Sequence, residues 1–163
     1  MKKSSPEVTI RNAKQHELLD ILKLLDECEL PKEGLAAHVS TTLVARNQSE
    51  LVGCCALELF QEYALLRSVA VKPSYRSQGL GGRLTRSALD LAMRHKISNL
   101  YLLTESANTF FSRLGFEPIS RCDVPETVQR SVEFTTLCPD SAMVMTMSLH
   151  QEFQKKRLYG IGI

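Results

Sequence analysis

The apolar residues of this chain change period several times, and each change marks an element. Leu18, Ile21, Leu22, Leu25 and Cys28 recur at three- and four-residue spacing, one face of a helix. Asn12, with Gln15 three residues later, resembles a capping box ahead of it. Before that, "VTI" (8–10) reads as a short strand. "LPKEGL" (30–35) breaks the pattern as a loop or short helical turn. From residue 41 the period shortens towards two. "TTLVAR" (41–46), "LVGCCALELF" (51–60) and "YALLRSVAV" (63–71) read as strands joined by short polar connections, which favours antiparallel pairing. Helical spacing returns over 80–95, with Leu80, Leu84, Ala88 and Leu91 in one stripe. "NLYLL" (99–103) follows this crossover helix, so it should lie parallel to the 63–71 strand. "SANTFFSRL" (106–114) predicts a helix capped by Ser106 and stopped at Gly115. "FEPIS" reads as a strand and "VPETVQRSVEF" (124–134) as a helix with Pro125 in its first turn. "AMVMTMSL" (142–149) alternates as a last strand, and the tail, 150–163, has no clear pattern. The order predicts a single α/β domain over 1–163, built on a central mixed, mostly antiparallel sheet with flanking helices.

Composition narrows the function more than the fold. Of 163 residues, 44% are hydrophobic and 23% charged, the profile of a globular protein. The net charge of +2 is too small to argue for nucleic-acid or membrane partners, and none is expected. "MKKSSPEVTI" has two lysines but no apolar stretch behind them, so no signal peptide is expected and the expected location is cytoplasmic. The five cysteines are Cys28, Cys54, Cys55, Cys122 and Cys138. Their odd number and lack of CxxC spacing point to reduced thiols used as small side chains, with no metal site.

One stretch breaks local rules. "SYRSQGLGGRLTRSALDLAMRH" (74–95) places three glycines and several arginines at the start of a helix. Glycine weakens helices, and a helix N-terminus is already positive. Glycines let N–H groups converge, and the first N–H groups of a helix lack internal partners, so together they can cradle an anion such as phosphate. Lys72, Arg76, Arg83 and Arg86 would crowd the same end. An ordinary glycine-rich turn with solvated arginines is the plain alternative. No Gly-Lys occurs, so the stretch is not a Walker A loop. A dinucleotide fingerprint matches at Gly79 and Gly81 but has Leu84 in its third place, with Glu105 where a ribose-binding acid would stand. The pattern Arg-x-x-Gly-x-Gly is met completely by Arg76, Gly79 and Gly81.

On that pattern, within "LLRSVAVKPSYRSQGLGGRL" and followed by "NLYLLTESANTFFSRLGFEPI", the chain resembles the GNAT N-acetyltransferase superfamily over roughly residues 7–121. "LLTESANTFFSRLGF", "DVPETVQRS" and the early "LPKEGL" are similar to a subgroup associated with bacterial arsenic-resistance gene clusters, and to the acetyltransferase domain of N-acetylglutamate synthases. The resemblance implies a splayed parallel strand pair, 63–71 and 99–103, and acetyl-CoA as acetyl donor. It implies that main-chain groups of Val69, Ala70 and Val71 pair with the pantetheine arm. The N–H groups of Ser77, Gln78, Gly79, Leu80, Gly81 and Gly82 would hold the diphosphate beside Arg76. A small-molecule primary amine, an amino acid or an arsenic-bearing analogue of one, would attack the thioester directly. The Val69 N–H would serve the oxyanion, and Glu58, an acid within an apolar strand, would be the base; an exposed strand carboxylate or an ion pair is its alternative. Arg67 could hold a substrate carboxylate in two parallel hydrogen bonds or make a structural pair with Glu58 or Glu62. His38 could line the acceptor mouth or simply lie on the surface, and Cys138 could contact an arsenical or be a plain thiol. Two departures matter. Phe111 stands where many relatives have a tyrosine that protonates the CoA sulfur, and Thr104 stands in place of a common asparagine at the cofactor. Thr104, Ser106 or a water would then supply the proton, or CoA would leave as thiolate. A non-catalytic acyl-CoA sensor is the competing reading. The last strand and tail could pair between subunits in a homodimer.

Overall fold

The computed structural model describes residues 7–137 and 140–150. Cys138 and, apart from His150, the tail assigned to 150–163 lie outside the described residues. Among the described residues, eleven α-helices and strands follow the expected order: β1 (Thr9–Asn12), α1 (Leu18–Glu27), β2 (Thr42–Asn47), β3 (Glu50–Phe60), β4 (Tyr63–Val71), α2 (Leu80–Arg94), β5 (Asn99–Thr104), α3 (Asn108–Arg113), β6 (Glu117–Ile119), α4 (Glu126–Gln129) and β7 (Met143–Ser148). The strands form one seven-stranded sheet in the order β1-β2-β3-β4-β5-β7-β6. The chain divides into two compact units, Met1–Leu57 with Arg67–Ala88, and Glu58–Leu66 with Leu89–Ile163. Among the described residues no helix is long and apolar enough to cross a membrane.

In the first unit, β2 pairs antiparallel with β3, as their short connection predicted, and β1 pairs antiparallel with β2 across the intervening α1 segment. Ile21, Leu24 and Leu25 of α1 bury their stripe with Leu35, Val44, Cys54, Ala56 and Ala70. Gly53 is needed by crowding: a Cβ there would lie 2.9 Å from Leu84 Cδ1 and 3.2 Å from the Ala70 carbonyl oxygen. The helix start differs from the capping box expected at Asn12 and Gln15. A 3-10 turn, Gln15–Glu17, comes first, and the Glu17 carboxylate accepts the Lys14 N–H at 2.7 Å. Glutamate wins over the Asn12 and Gln15 pair because it also gathers two guanidinium groups. Arg11 binds it bidentately at 2.8 and 2.9 Å, and Arg46 donates through Nε at 2.9 Å. The "LPKEGL" segment ends at Gly34, whose φ of 81° turns the chain into a 3-10 helix, Leu35–Thr41, that the sequence pattern did not announce.

In the second unit, Tyr63, Ala64 and Leu65 run parallel with Asn99, Leu100 and Tyr101, the orientation expected from the crossover helix. β7 pairs antiparallel with both β5 and β6. Leu65, Tyr101, Val124, Val128 and Val144 form this unit's core. Two local expectations are corrected. Ser106 does not cap α3; the Thr104 hydroxyl takes the Ala107 N–H at 2.9 Å instead. A 3-10 turn at Arg121–Asp123 precedes the helix expected over 124–134, which is itself broken into the short α4 and a π-helical turn at Glu133–Leu137. Ser131 explains the break between them, since its hydroxyl takes the Glu133 N–H at 3.2 Å and competes with the helical ladder.

Candidate functional site

The glycine-rich stretch leaves β4 through a tightly tied turn. The Lys72 N–H donates to the Val52 carbonyl at 2.8 Å, closing the strand end. Pro73 then opens a 3-10 turn through Tyr75, and the Tyr75 N–H returns to the Lys72 carbonyl at 2.8 Å. Beyond Arg76 the backbone visits the left-handed region twice, at Ser77 (φ 63°) and Gly79 (φ 81°). Gly79 serves conformation, not space, because a Cβ there would meet nothing within 4 Å. The first ladder bond of α2 runs from the Arg83 N–H to the Gly79 carbonyl at 3.1 Å. The N–H groups of residues 79–82 therefore precede the helical ladder and point out of its positive end. The first turn of α2 contains no acidic residue.

The side chains around this helix start are basic and exposed. Arg76, Ser77, Gln78, Arg83 and Arg86 all face solvent, while Leu80 is buried and anchors the turn. Arg76 donates from Nε to the Val71 carbonyl at 3.1 Å and from a terminal nitrogen to Cys28 Sγ at 3.6 Å. Arg83 reaches the Val8 carbonyl at 3.0 Å. Arg86 lies over Gly82, where a Cβ would stand 3.4 Å from its guanidinium. Lys72, expected among the loop cations, is instead bound to Glu50 at 2.6 Å. That hydrogen bond raises the lysine pKa and lowers the carboxylate's.

The other sequence-derived candidates fall in two groups. Val69, Ala70 and Val71 end β4 in the same unit as the loop. Immediately before them Ser68 adopts φ 56° inside the strand. Serine is an ordinary strand or turn residue, so nothing in the sequence signalled this left-handed kink. Arg67 is buried in this unit, donating to the Glu33 carbonyl at 2.8 Å and to Ser68 Oγ at 3.1 Å. It therefore ties the 30–35 segment to β4. His38 is half-buried in the 3-10 helix, and its carbonyl accepts the Thr42 hydroxyl at 2.8 Å. Glu58 and Thr104 belong to the second unit. Glu58 is 3% exposed, which sets aside the exposed-carboxylate alternative. The Thr104 hydroxyl accepts the Ala107 N–H and keeps its own proton for donation. Phe111 is buried in an edge-to-face trio, 5.0 Å from the Phe110 ring and 5.7 Å from that of Phe116.

The cysteines described are free thiols, and Cys54 and Cys55 are fully enclosed. Burial pushes the Cys55 thiol up to about 12, and burial with the neighbouring Cys55 raises that of Cys54 as well. Neither is a nucleophile at neutral pH.

A family model, the acetyltransferase (GNAT) domain, matches residues 38–118, a span that includes β4, the loop and α2. The chain belongs to this family. Among relatives of this GNAT domain, an uncharacterized N-acetyltransferase of Chlorobaculum tepidum is 27% identical over 119 residues, covering 71% of this chain and 76% of that protein. An amino-acid acetyltransferase of Aeromonas salmonicida is 29% identical over 119 residues, 69% of this chain but only 27% of that enzyme. The solved N-acetylglutamate synthase of Neisseria gonorrhoeae, complexed with coenzyme A and N-acetyl-glutamate, superposes with a TM-score of 0.76 at 26% identity, over 90% of this chain and 36% of that one. This GNAT chain thus spans about a third or less of the two amino-acid-acetylating relatives, and about three quarters of the Chlorobaculum protein.

Proposed function

We propose that this protein is an acetyl-CoA-dependent N-acetyltransferase acting on a small primary amine of the amino-acid class. The observation that carries the reading is the start of α2. Four N–H groups emerge beside Arg76, Arg83 and Arg86, with no acidic side chain in that turn to satisfy them. A diphosphate suits this donor set in charge and in hydrogen-bond geometry. Residues 76–79 are exposed, and Gly79 carries no side chain that would keep an anion from its backbone.

Bound acetyl-CoA would supply the activated acetyl group. The chain's own tasks are then few. Residues 69–71 would align the donor along β4, and the Val69 N–H would stabilise the developing oxyanion. Glu58 would take the proton released as the amine nitrogen bonds to the carbonyl carbon and the carbon–sulfur bond breaks. Arg67 and His38 would orient the acceptor, Arg67 through a carboxylate. The proton for the departing sulfur would come from Thr104, Ser106 or solvent, since Phe111 has none to give. Amino-acid acceptors are favoured by the relatives named above. The arsenic-bearing analogue stays within the same class and rests on the sequence resemblance alone.

The test is incubation with acetyl-CoA and a panel of amino acids that includes an arsenical one, reading free thiol release and acetylated product by mass spectrometry. Acetylation of at least one amino acid, lost in Glu58→Gln, supports the reading. Coenzyme A binding without turnover on any amine favours the sensor instead, a reading that the buried, hydroxyl-free Phe111 keeps in play. An absence of coenzyme A binding overturns both.

A further inference from the structure

The anion loop is held from behind by groups outside the family's glycine pattern. Glu50, the first residue of β3, bonds both ends of the turn that precedes the loop. One carboxylate oxygen takes Lys72 Nζ at 2.6 Å, and the other takes the Tyr75 hydroxyl at 3.3 Å. The same phenol oxygen accepts Asn47 Nδ2 at 2.6 Å. Asn47 and Glu50 are themselves a registered pair at the β2–β3 hairpin end. The β2–β3 hairpin end thus grips the residues that bracket Pro73 and Ser74.

The turn needs such a grip. Directly after it come the two left-handed residues, Ser77 and Gly79, and both are exposed. Ser77 in particular adopts a conformation that costs an L-residue free energy. A loop with exposed polar residues and strained dihedrals samples other shapes unless its entry is fixed. Ordering it only when ligand arrives would weaken binding. Isolated exposed ion pairs contribute little, but here one carboxylate restrains two side chains four residues or fewer apart.

We infer that Glu50 and Tyr75 are positioning residues for the acyl-donor diphosphate: they preorganise residues 76–82 without touching the ligand. The inference rests on the function proposed above. Lys72 shares the clamp, so the basic residue expected at the ligand instead supports the loop from the hairpin side.

The experiment measures coenzyme A affinity by calorimetry for the wild type, Tyr75→Phe, Glu50→Gln and the double variant, with thermal midpoints and amide hydrogen exchange of 76–82 in the free protein. Each single variant should bind coenzyme A about 5-fold more weakly, the scale of one ordinary intramolecular hydrogen bond. The double variant should lose no more than about 10-fold, because both changes release the same constraint. Exchange at 76–82 should quicken in every variant while the midpoint stays within about 2 °C. Variants that bind and exchange like wild type, or losses that simply multiply, overturn the inference and leave the proposed function standing. A wild type that does not bind coenzyme A overturns the function and this inference with it.

Discussion

At the start of α1 the Glu17 carboxylate, 3% exposed, accepts the Lys14 N–H and bonds to the guanidinium groups of Arg11 and Arg46. At the start of α2, in the same compact unit, three arginines and four helix N–H groups stand without any acidic residue in the first turn. Both places put positive charge at the positive end of a helix. In the first, the chain supplies the anion, and the result is a structural knot. In the second its first turn does not, and the three arginines are exposed. Glycines and arginines at a helix start therefore become informative only when the local carboxylates are counted.

The comparison breaks most sharply if α2 is given an anion of its own. Gly79→Asp places a carboxylate at the helix start, at a position with open space and a φ of 81° that aspartate tolerates better than most residues. A carboxylate beside a diphosphate repels it by a few kcal/mol at the effective dielectric of a protein surface, so coenzyme A affinity should fall on the order of 100-fold. The helix gains a favourable charge at its N-terminus, so the thermal midpoint should stay within about 3 °C. Calorimetry and thermal unfolding check both. Undiminished affinity would mean that the α2 start is not where the donor's phosphates rest.

Removing the anion from α1 should do the reverse, costing stability and sparing the ligand. Glu17→Gln removes the carboxylate that Arg11 and Arg46 share, leaving Arg46 only its exposed partner Asp20 at 3.3 Å, and should cost about 2 kcal/mol at pH 7. The hydrogen bonds from Arg11, opposed in part by burial and helped by Lys14 and Arg46, hold the Glu17 carboxyl at about 2, below its usual 4.5. A depressed native pKa gives stability that is complete above the unfolded value and is lost as pH falls towards the folded one. The gap between wild type and variant should therefore be full above about pH 5 and shrink between 4.5 and 2. Urea unfolding at pH 7, 4 and 3 measures it. A gap that stays constant across that range would show that the ionised carboxylate is not what stabilises the α1 start.

How far the sequence reveals these features depends on what kind of signal each leaves. Periodicity marked β4 and α2 with their boundaries almost to the residue, because long apolar patterns are set by burial of a whole face. The parallel partnership of β4 and β5 followed from the crossover helix. The anion loop was legible because glycine and arginine there contradict local propensity. What stayed hidden was cooperative. Glu17 replaced Asn12 and Gln15 as the capping group because Arg46, distant in sequence, came to meet it. Lys72 left the loop for Glu50 for a similar reason. The pieces at 121–137 escaped because Ser131 and Gln129 bond the backbone in ways that a periodic pattern does not record. Ser68 left no trace at all, since serine at a left-handed strand position looks like serine anywhere else in a strand.

The smallest expected effect separates the two helix starts on stability alone. Gly82 lies within the first turn of α2, and glycine there lowers helix stability relative to alanine. The atoms nearest to a Cβ at this position belong to the far end of the Arg86 side chain, at 3.4 to 3.7 Å, which can swing aside. Gly82→Ala should therefore stabilise the protein by about 0.5–1 kcal/mol, seen as a rise of a few degrees in the thermal midpoint. It should also weaken coenzyme A by about 3-fold, because a methyl group limits how closely phosphate oxygens approach the first-turn N–H groups. A gain in stability with a loss in affinity would identify the glycine as kept for a ligand against the interest of the helix. A gain in both would mean that Gly82 has no part in holding the anion, and that its neighbours at the α2 start suffice without close backbone approach.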